Sequence, residues 1–182
     1  MTDVVLGAAL LVLFALPMAL IGLAILAESG WPALIRQRRI GRNGNEYLML
    51  KFRTLPRATP DMSKANLKLA GREPSGFGRV LRRYRLDELP QLVNVIGGSM
   101  SLVGPRPALY TQNDLVDLRW KHGVLSVKPG MTGLAQVRGG EDLPLEQKVL
   151  LDADYVRRLS FALDMQILGE TLGVLARGSG TF

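Results

Sequence analysis

An adjacent pair of acids, Asp87 and Glu88, directly follows a basic stretch of the chain and has the clearest potential for chemistry. The stretch holds four arginines between residues 79 and 85, and Arg106 follows later between two prolines. Arginine binds phosphate oxygens through its planar fork, so this combination suits a phosphorylated substrate handled by a carboxylate. The flanking prolines stiffen the backbone at Arg106 and lower the entropic cost of presenting its guanidinium.

Asp87 and Glu88 are expected to perform different tasks. Neighbouring side chains on a helix point about 100° apart, so one carboxylate can act as a nucleophile while the other binds a metal or moves a proton. Nearby arginines are expected to lower the pKa of the aspartate and keep it ionised. The alternative is a solvated ion pair between Arg83 and Asp87, four residues apart on a helix. Arg82 and Arg85, likewise, can bind either the substrate or lipid phosphate.

The composition limits the kinds of site that this chain can build. Its 182 residues carry a formal net charge of +7, which favours anionic partners. Cysteine is absent and His122 is the sole histidine, so disulfides, thiolate zinc sites and multi-histidine metal clusters are excluded. A metal ion would be a hard cation held by carboxylate and phosphate oxygens, with Mg²⁺ as the first choice. Aromatic residues make up 6% of the chain and no nucleic-acid-binding motif is present, so no nucleic-acid partner is expected.

The segment from Val4 to Ala27 contains no charged residue and predicts a membrane helix. As a straight helix it would be roughly 36 Å long, which is enough for a hydrocarbon core of about 30 Å. A cleaved signal peptide and a buried soluble helix both fit less well. The helix either spans the membrane, with the basic residues after it placing the rest of the chain in the cytoplasm, or bends at Pro17 and returns to the same face. Residues 1–30 are therefore predicted to form the anchor and residues 31–182 the second domain.

The second domain is predicted to be α+β and mainly helical. Two extended runs around Gly41–Asn45 predict a β-hairpin, and residues 36–57 form either a lipid-facing basic surface or, through Lys51 or Arg53, a phosphate site. The first half of this domain is further predicted to contain one helical turn within 63–69 and a helix over 79–96 that is interrupted near Pro90. The second half is predicted to contain a helix over 113–122, a turn over 127–137 leading into a short strand, and helices over 144–158 and 160–176. The apolar stripe of the last helix can pack on the core or lie in a membrane interface.

Four segments occur in a fixed order that resembles a known family. They are Lys51–Thr54, Leu86–Gln91, Ser101–Pro107 and Lys128–Val137. This arrangement, extending from Asp3 to about Gly178, is similar to the bacterial sugar transferases, the monotopic phosphoglycosyl transferases.

The resemblance implies a specific reaction. Such enzymes transfer a sugar-1-phosphate from a UDP-sugar to a polyprenyl phosphate such as undecaprenyl phosphate, release UMP, and start glycan assembly at the cytoplasmic face of the bacterial inner membrane. It implies a ping-pong mechanism with Asp87 as nucleophile, and a Glu88 that either joins Asp87 at an Mg²⁺ ion or assists a proton transfer. It implies that Arg106 contacts phosphate. The further candidates for binding phosphate or substrate are Arg82, Arg85, Lys51, Arg53 and Gln136. It also implies a re-entrant helix bent at Pro17 beside a compact domain with interfacial helices, and it leaves the oligomeric state open, with a homodimer as one option.

Some positions depart from the family pattern. Leu16 replaces the serine common before the proline, and Arg138-Gly139-Gly140 replaces a common Asn-Gly-Arg. Because that last segment is expected near the sugar or nucleotide, the identity of the sugar is the least transferable property. The competing hypothesis is a membrane-anchored binding or scaffold protein without catalysis, which would use the basic face on lipid.

Overall fold

The computed structural model describes residues 2–57, 59, 67, 70–139 and 143–177. Within these residues the elements, in chain order, are α1 (Thr2–Ser29), β1 (Leu34–Ile40), β2 (Glu46–Phe52), α2 (Gly76–Arg83), α3 (Gln91–Ile96), β3 (Ser101–Val103), β4 (Ala108–Leu109), α4 (Asn113–Lys121), β5 (Gly130–Thr132), α5 (Leu134–Arg138), α6 (Leu145–Arg157) and α7 (Phe161–Ala176). The predicted mainly helical α+β class is confirmed. The turn expected within 63–69 lies outside the described residues, apart from Leu67.

The predicted hairpin is present and forms the centre of a small antiparallel sheet. Strands β1 and β2 pair from Leu34 opposite Phe52 to Ile40 opposite Glu46. Strand β4 adds to the other edge of β1. Because β4 begins two residues after Arg106, this pairing brings Arg106 to the same sheet as Lys51 of β2.

A second, parallel pair of strands joins two of the sequence motifs. Strand β3 pairs with β5, so Ser101 lies opposite Gly130 and Val103 opposite Thr132. The chains approach so closely that a Cβ atom on Gly130 would lie 2.1 Å from the backbone nitrogen of Gly104, and one on Gly133 would lie 2.1 Å from the Gly104 oxygen. Only glycine permits this contact. The amide of Gly130 also donates to the Pro105 carbonyl at 3.0 Å, which fixes the turn that leads into Arg106.

Helix α1 has the length and composition of a membrane helix and is largely exposed. Among the described residues it is the one helix long and apolar enough to cross a membrane, with a mean hydropathy of 2.8. Both of its ends nevertheless contact the second domain. Asp3 accepts hydrogen bonds from the Ser101 hydroxyl at 3.1 Å and the Leu102 amide at 3.2 Å, and Arg53 donates to the Ser29 carbonyl at 2.9 Å. Pro17 lies inside the helix.

The core consists of three neighbouring clusters of buried apolar side chains. The largest joins Met49 of β2 and Leu92 of α3 to Ile167 of α7. A second lies between α4 and α6. The third packs Ile21 and Ile25 of α1 against the hairpin and α2. Helix α7 therefore packs on the core with one face, while Phe161 and Leu172 are exposed on another. The buried face packs as one prediction had it, and the exposed residues leave contact with a membrane interface as the other.

Two of the predicted elements differ from the structure. The helix expected over 79–96 is interrupted earlier than near Pro90: α2 ends at Arg83, a 3₁₀ turn covers Leu86–Glu88, and α3 begins at Gln91 after Pro90. The interruption is made by Arg85, whose φ of 53° lies in the left-handed region that stops a helix. The segment 134–137 is helical, and the strand precedes it, because Gly130–Thr132 finds a partner in the distant β3.

Candidate active site

The acid pair lies at the irregular point between α2 and α3. Asp87 and Glu88 belong to the 3₁₀ turn that follows the left-handed Arg85, and Pro90 then starts α3. This local bend turns both carboxylates inward, where they are 7% and 6% exposed. Because Asp87 is buried, the alternative of a solvated ion pair with Arg83 is wrong.

Glu88 is surrounded by cationic side chains from three separate segments of the chain. Its Oε1 atom accepts from Lys51 Nζ at 2.8 Å and from Arg106 Nη2 at 2.8 Å. Its Oε2 atom lies 3.4 Å from Arg106 Nη1 and 3.9 Å from Arg85 Nη1. The fold therefore brings three of the candidate site residues, Lys51, Arg85 and Arg106, together at Glu88.

The two carboxylates have opposite protonation preferences. Burial favours a protonated Glu88, but the charges of Arg106, Lys51 and Arg85 hold its pKa well below the usual 4.5. For Asp87, burial and the charge of Glu88 raise the pKa above 3.8, and Lys51, Arg82 and Arg106 compensate only in part. The expectation that arginines lower the pKa of Asp87 is therefore wrong, because desolvation outweighs them. Of the two acids, Glu88 ionises first and Asp87 is the last to lose its proton.

The remaining predicted residues lie at different places. The Arg82 Nε–H donates to the Thr54 hydroxyl at 2.8 Å, which holds α2 against the end of β2 beside Asp87. Gln136 is buried in α5, and its Nε2 atom lies 3.4 Å from the Met131 carbonyl oxygen. Arg53 points away from the acid pair, since its Nη2 atom donates to Ser29 and to the Gly30 carbonyl. Its contacts are those of a residue that fixes the carboxyl end of α1.

A known protein family matches almost the whole length of this chain. The model of the bacterial sugar transferase family matches residues 1–178. The chain belongs to this family. The resemblance drawn from the four sequence motifs is thereby confirmed.

Several curated relatives of this family member are similar over most of its length. A UDP-glucose:undecaprenyl-phosphate glucose-1-phosphate transferase of Caulobacter vibrioides is 40% identical over 93% of this chain and 66% of its own. The exopolysaccharide production protein ExoY of Rhizobium meliloti is 35% identical over 99% of this chain and 86% of its own. An undecaprenyl-phosphate galactose phosphotransferase of Salmonella typhimurium is 35% identical over 85% of this chain and 36% of its own. The chain thus spans between about a third and nine tenths of these relatives.

The acid pair of this family member could hold Mg²⁺ only together with phosphate groups of a bound substrate. The described residues contain no group of three or more acidic or histidine side chains that could hold a metal by themselves. Mg²⁺ commonly takes one or two carboxylates and completes its shell with substrate phosphates and water. Because Glu88 already contacts three cations, Asp87 would be the better ligand of the two if Mg²⁺ binds, and phosphate oxygens of a bound donor would supply further ligands.

Three functional candidates went unnoticed in the sequence: Arg39, Arg119 and Asp152. All three contact, directly or through one another, the backbone that carries Arg106. Two of them could have been found from the sequence pattern, because Arg119 and Asp152 occupy core-facing positions among the apolar residues of α4 and α6. Opposite charges at core-facing positions of two helices indicate a buried ion pair.

Proposed function

We propose that this chain transfers a sugar-1-phosphate from a UDP-sugar to undecaprenyl phosphate and releases UMP. The acid pair carries the proposal, since a buried Asp87 lies beside a Glu88 that holds Lys51, Arg85 and Arg106 within 4 Å. The names of the relatives support the reaction class, and they differ in the sugar, glucose in one and galactose in another. A hexose-1-phosphate is therefore the expected group.

The transfer proceeds in two displacements through Asp87. In the first, a carboxylate oxygen of Asp87 attacks the phosphorus that carries the sugar, and the bond from that phosphorus to the bridging oxygen breaks, so UMP leaves with the electron pair. In the second, an oxygen of undecaprenyl phosphate attacks the same phosphorus and Asp87 leaves as a carboxylate. Covalent catalysis of this kind lets a water-soluble donor and a lipid acceptor use one site in turn.

The surrounding cations of the site stabilise the charge that develops on the transferred phosphoryl group. Phosphoryl transfer depends on positioning and charge neutralisation more than on covalent machinery. Arg106 and Lys51 are held on Glu88, so Glu88 orients these two cations beside Asp87 rather than reacting itself. Mg²⁺, when bound by Asp87 and the donor diphosphate, would supply further neutralisation of phosphate charge.

We propose that α1 enters and leaves the membrane on one face, the cytoplasmic face of the inner membrane. Its first turn contacts β3 through Asp3, and its last turn contacts Arg53. If α1 spanned the bilayer, a hydrocarbon core of about 30 Å would lie between these two ends. The part of the chain that contacts both ends could then not lie on one side of the membrane. The arginines of β1 follow α1 closely and suit the anionic lipids of that face. The acid pair then lies near the headgroups, where the acceptor phosphate lies.

The test of the reaction is UMP release with undecaprenyl phosphate, Mg²⁺ and a panel that starts with UDP-glucose and UDP-galactose. Asp87→Asn is expected to lower kcat by on the order of 10³-fold or more, whereas Asp117→Asn, an exposed acid of α4, should leave it unchanged. Incubation with the donor alone should add one sugar phosphate to the wild-type peptide that contains Asp87, detectable by mass spectrometry. Full turnover by Asp87→Asn would exclude the covalent route. Absence of UMP release from every donor, with salt-sensitive binding to anionic vesicles, would favour the scaffold hypothesis.

The test of the topology uses the absence of cysteine from the chain. Single cysteines are introduced as Thr2→Cys at the start of α1 and Arg36→Cys after its end, and membrane-impermeant labelling is compared from each side of the membrane. The proposal expects both to be labelled from the cytoplasmic side. Labelling from opposite sides would establish a spanning helix.

A further inference from the structure

Two guanidinium groups hold the backbone that presents Arg106. The Nη1 atom of Arg119 donates to the carbonyl oxygen of Arg106 at 2.7 Å. The Nη1 atom of Arg39 donates to the next carbonyl, that of Pro107, at 2.9 Å. The carbonyls of Arg106 and Pro107 are thus held by side chains from helix α4 and strand β1, respectively. These two contacts fix the orientation of the peptide between them.

Each of these arginines is itself held by a partner. Arg119 of α4 pairs with Asp152 of α6 at 2.6 Å, and both side chains are almost fully buried, at 3% and 2% exposed. Arg39 donates its Nη2 hydrogen to the Gln37 side chain. Burying an isolated ion pair contributes little to stability because both charges lose their hydration. A buried pair that also binds the backbone of an active-site residue is better explained by the orientation that it provides.

The orientation of the Arg106 backbone sets the position of its guanidinium group at Glu88. Its two terminal nitrogens face the two oxygens of Glu88, at 2.8 and 3.4 Å. This paired geometry is directional, so a shift of the Arg106 backbone would move the guanidinium relative to Glu88 and, under the proposed function, relative to the phosphate of a bound donor. A misplacement of about 1 Å can lower a catalytic rate by about a hundredfold.

We propose that Arg119 and Arg39, supported by Asp152 and Gln37, are positioning residues that act on catalysis through Arg106. The inference rests on the proposed function, in which Arg106 neutralises phosphate charge. It differs from a purely structural role in one measurable respect: the effect of changing Arg119 or Arg39 depends on whether residue 106 is an arginine.

The experiment is a double-mutant cycle on kcat/KM for UMP release, with Arg119→Lys made in the wild type and in Arg106→Lys. Lysine keeps the charge opposite Asp152 but lacks the forked geometry that reaches both the carboxylate and the carbonyl. We expect Arg119→Lys to lower kcat/KM about tenfold in the wild type and by less than about twofold in Arg106→Lys, since residues that act as a unit are not additive. Equal losses in both backgrounds would overturn the proposal. If Arg106→Lys has no measurable turnover, the cycle is measured on UMP binding, with the same two outcomes.

A matched control and a second variant complete the design. Asp154→Asn changes an acid of α6 that pairs with Arg157 and Arg158 at the surface, and should leave kcat/KM unchanged. If Arg119→Lys does not fold, as thermal unfolding would show, Arg39→Lys replaces it in the same cycle. Failure of the wild type to release UMP would contradict the proposed function, whereas an active wild type with an additive cycle would contradict the positioning role alone.

Discussion

Replacement of Lys51 by methionine tests how much the acid pair depends on its cations. Lys51 and Glu88 are 12% and 8% exposed in their side chains, and 2.8 Å separates Nζ from Oε1. Removing one partner of a buried pair costs about 3–5 kcal/mol when the other charge is left alone. Glu88 keeps Arg106 and Arg85, so the loss should fall to about 2 kcal/mol, the typical contribution of one hydrogen bond to a charged group. For a chain of this length that corresponds to a fall in Tm of about 4–8 °C.

The same change should alter the pH dependence of the protein. The depressed pKa of Glu88 depends on Arg106 and Lys51, so its stabilising contribution is present above the ordinary pKa and is lost as pH falls through the folded-state value. Lys51→Met raises that folded-state pKa toward the ordinary value, so the loss of stability in acid should be smaller and should be complete at a higher pH than in the wild type. Thermal unfolding in detergent between about pH 2 and pH 8 measures both effects.

The control is an ion pair on the same hairpin. Arg38 and Glu46 form a salt bridge in which both side chains are about half exposed. Arg38→Met should therefore change the free energy of unfolding by less than about 1 kcal/mol. Equal Tm values for Lys51→Met and wild type, or equal losses for Lys51→Met and Arg38→Met, would refute the conclusion that Lys51 serves a buried carboxylate.

Three further predictions concern single positions. Asp87→Asn should unfold at a higher temperature than the wild type at pH 7.5 but not at pH 4, because the raised pKa of Asp87 means that its ionisation opposes folding as pH rises; equal differences at both pH values would contradict this. Ser160→Ala removes the side-chain cap of α7 and should cost about 1 kcal/mol, measured by denaturant unfolding, with Ser160→Asp as the variant that retains the cap. Gly130→Ala should prevent accumulation of folded protein, since its Cβ would lie 2.1 Å from the Gly104 nitrogen, whereas Gly169→Ala meets no atom within 4 Å and should stabilise α7 by up to about 1 kcal/mol; size-exclusion profiles and Tm values distinguish the two.

Local patterns in the chain were sufficient for a large part of the fold. The uncharged run of α1, the turn residues of the hairpin and the apolar periodicity of α7 each act within a few residues, so these elements could be predicted. Pro90 likewise marked the irregular point at which the acid pair lies. The break at Arg85 was missed because a left-handed arginine has no local signal of the kind that glycine provides.

The candidate site divides in the same way. The kind of chemistry could be predicted from the acid pair, the arginines and the ordered motifs, because side-chain type and motif order need no tertiary structure. Three features of the site depend on the folded chain. It buried Asp87 deeply enough for desolvation to raise its pKa, it directed Arg53 toward the end of α1, and it joined Arg119 to Asp152 across 33 positions of the chain. Desolvation and long-range contacts depend on which surfaces meet, and no window of neighbouring residues contains that information.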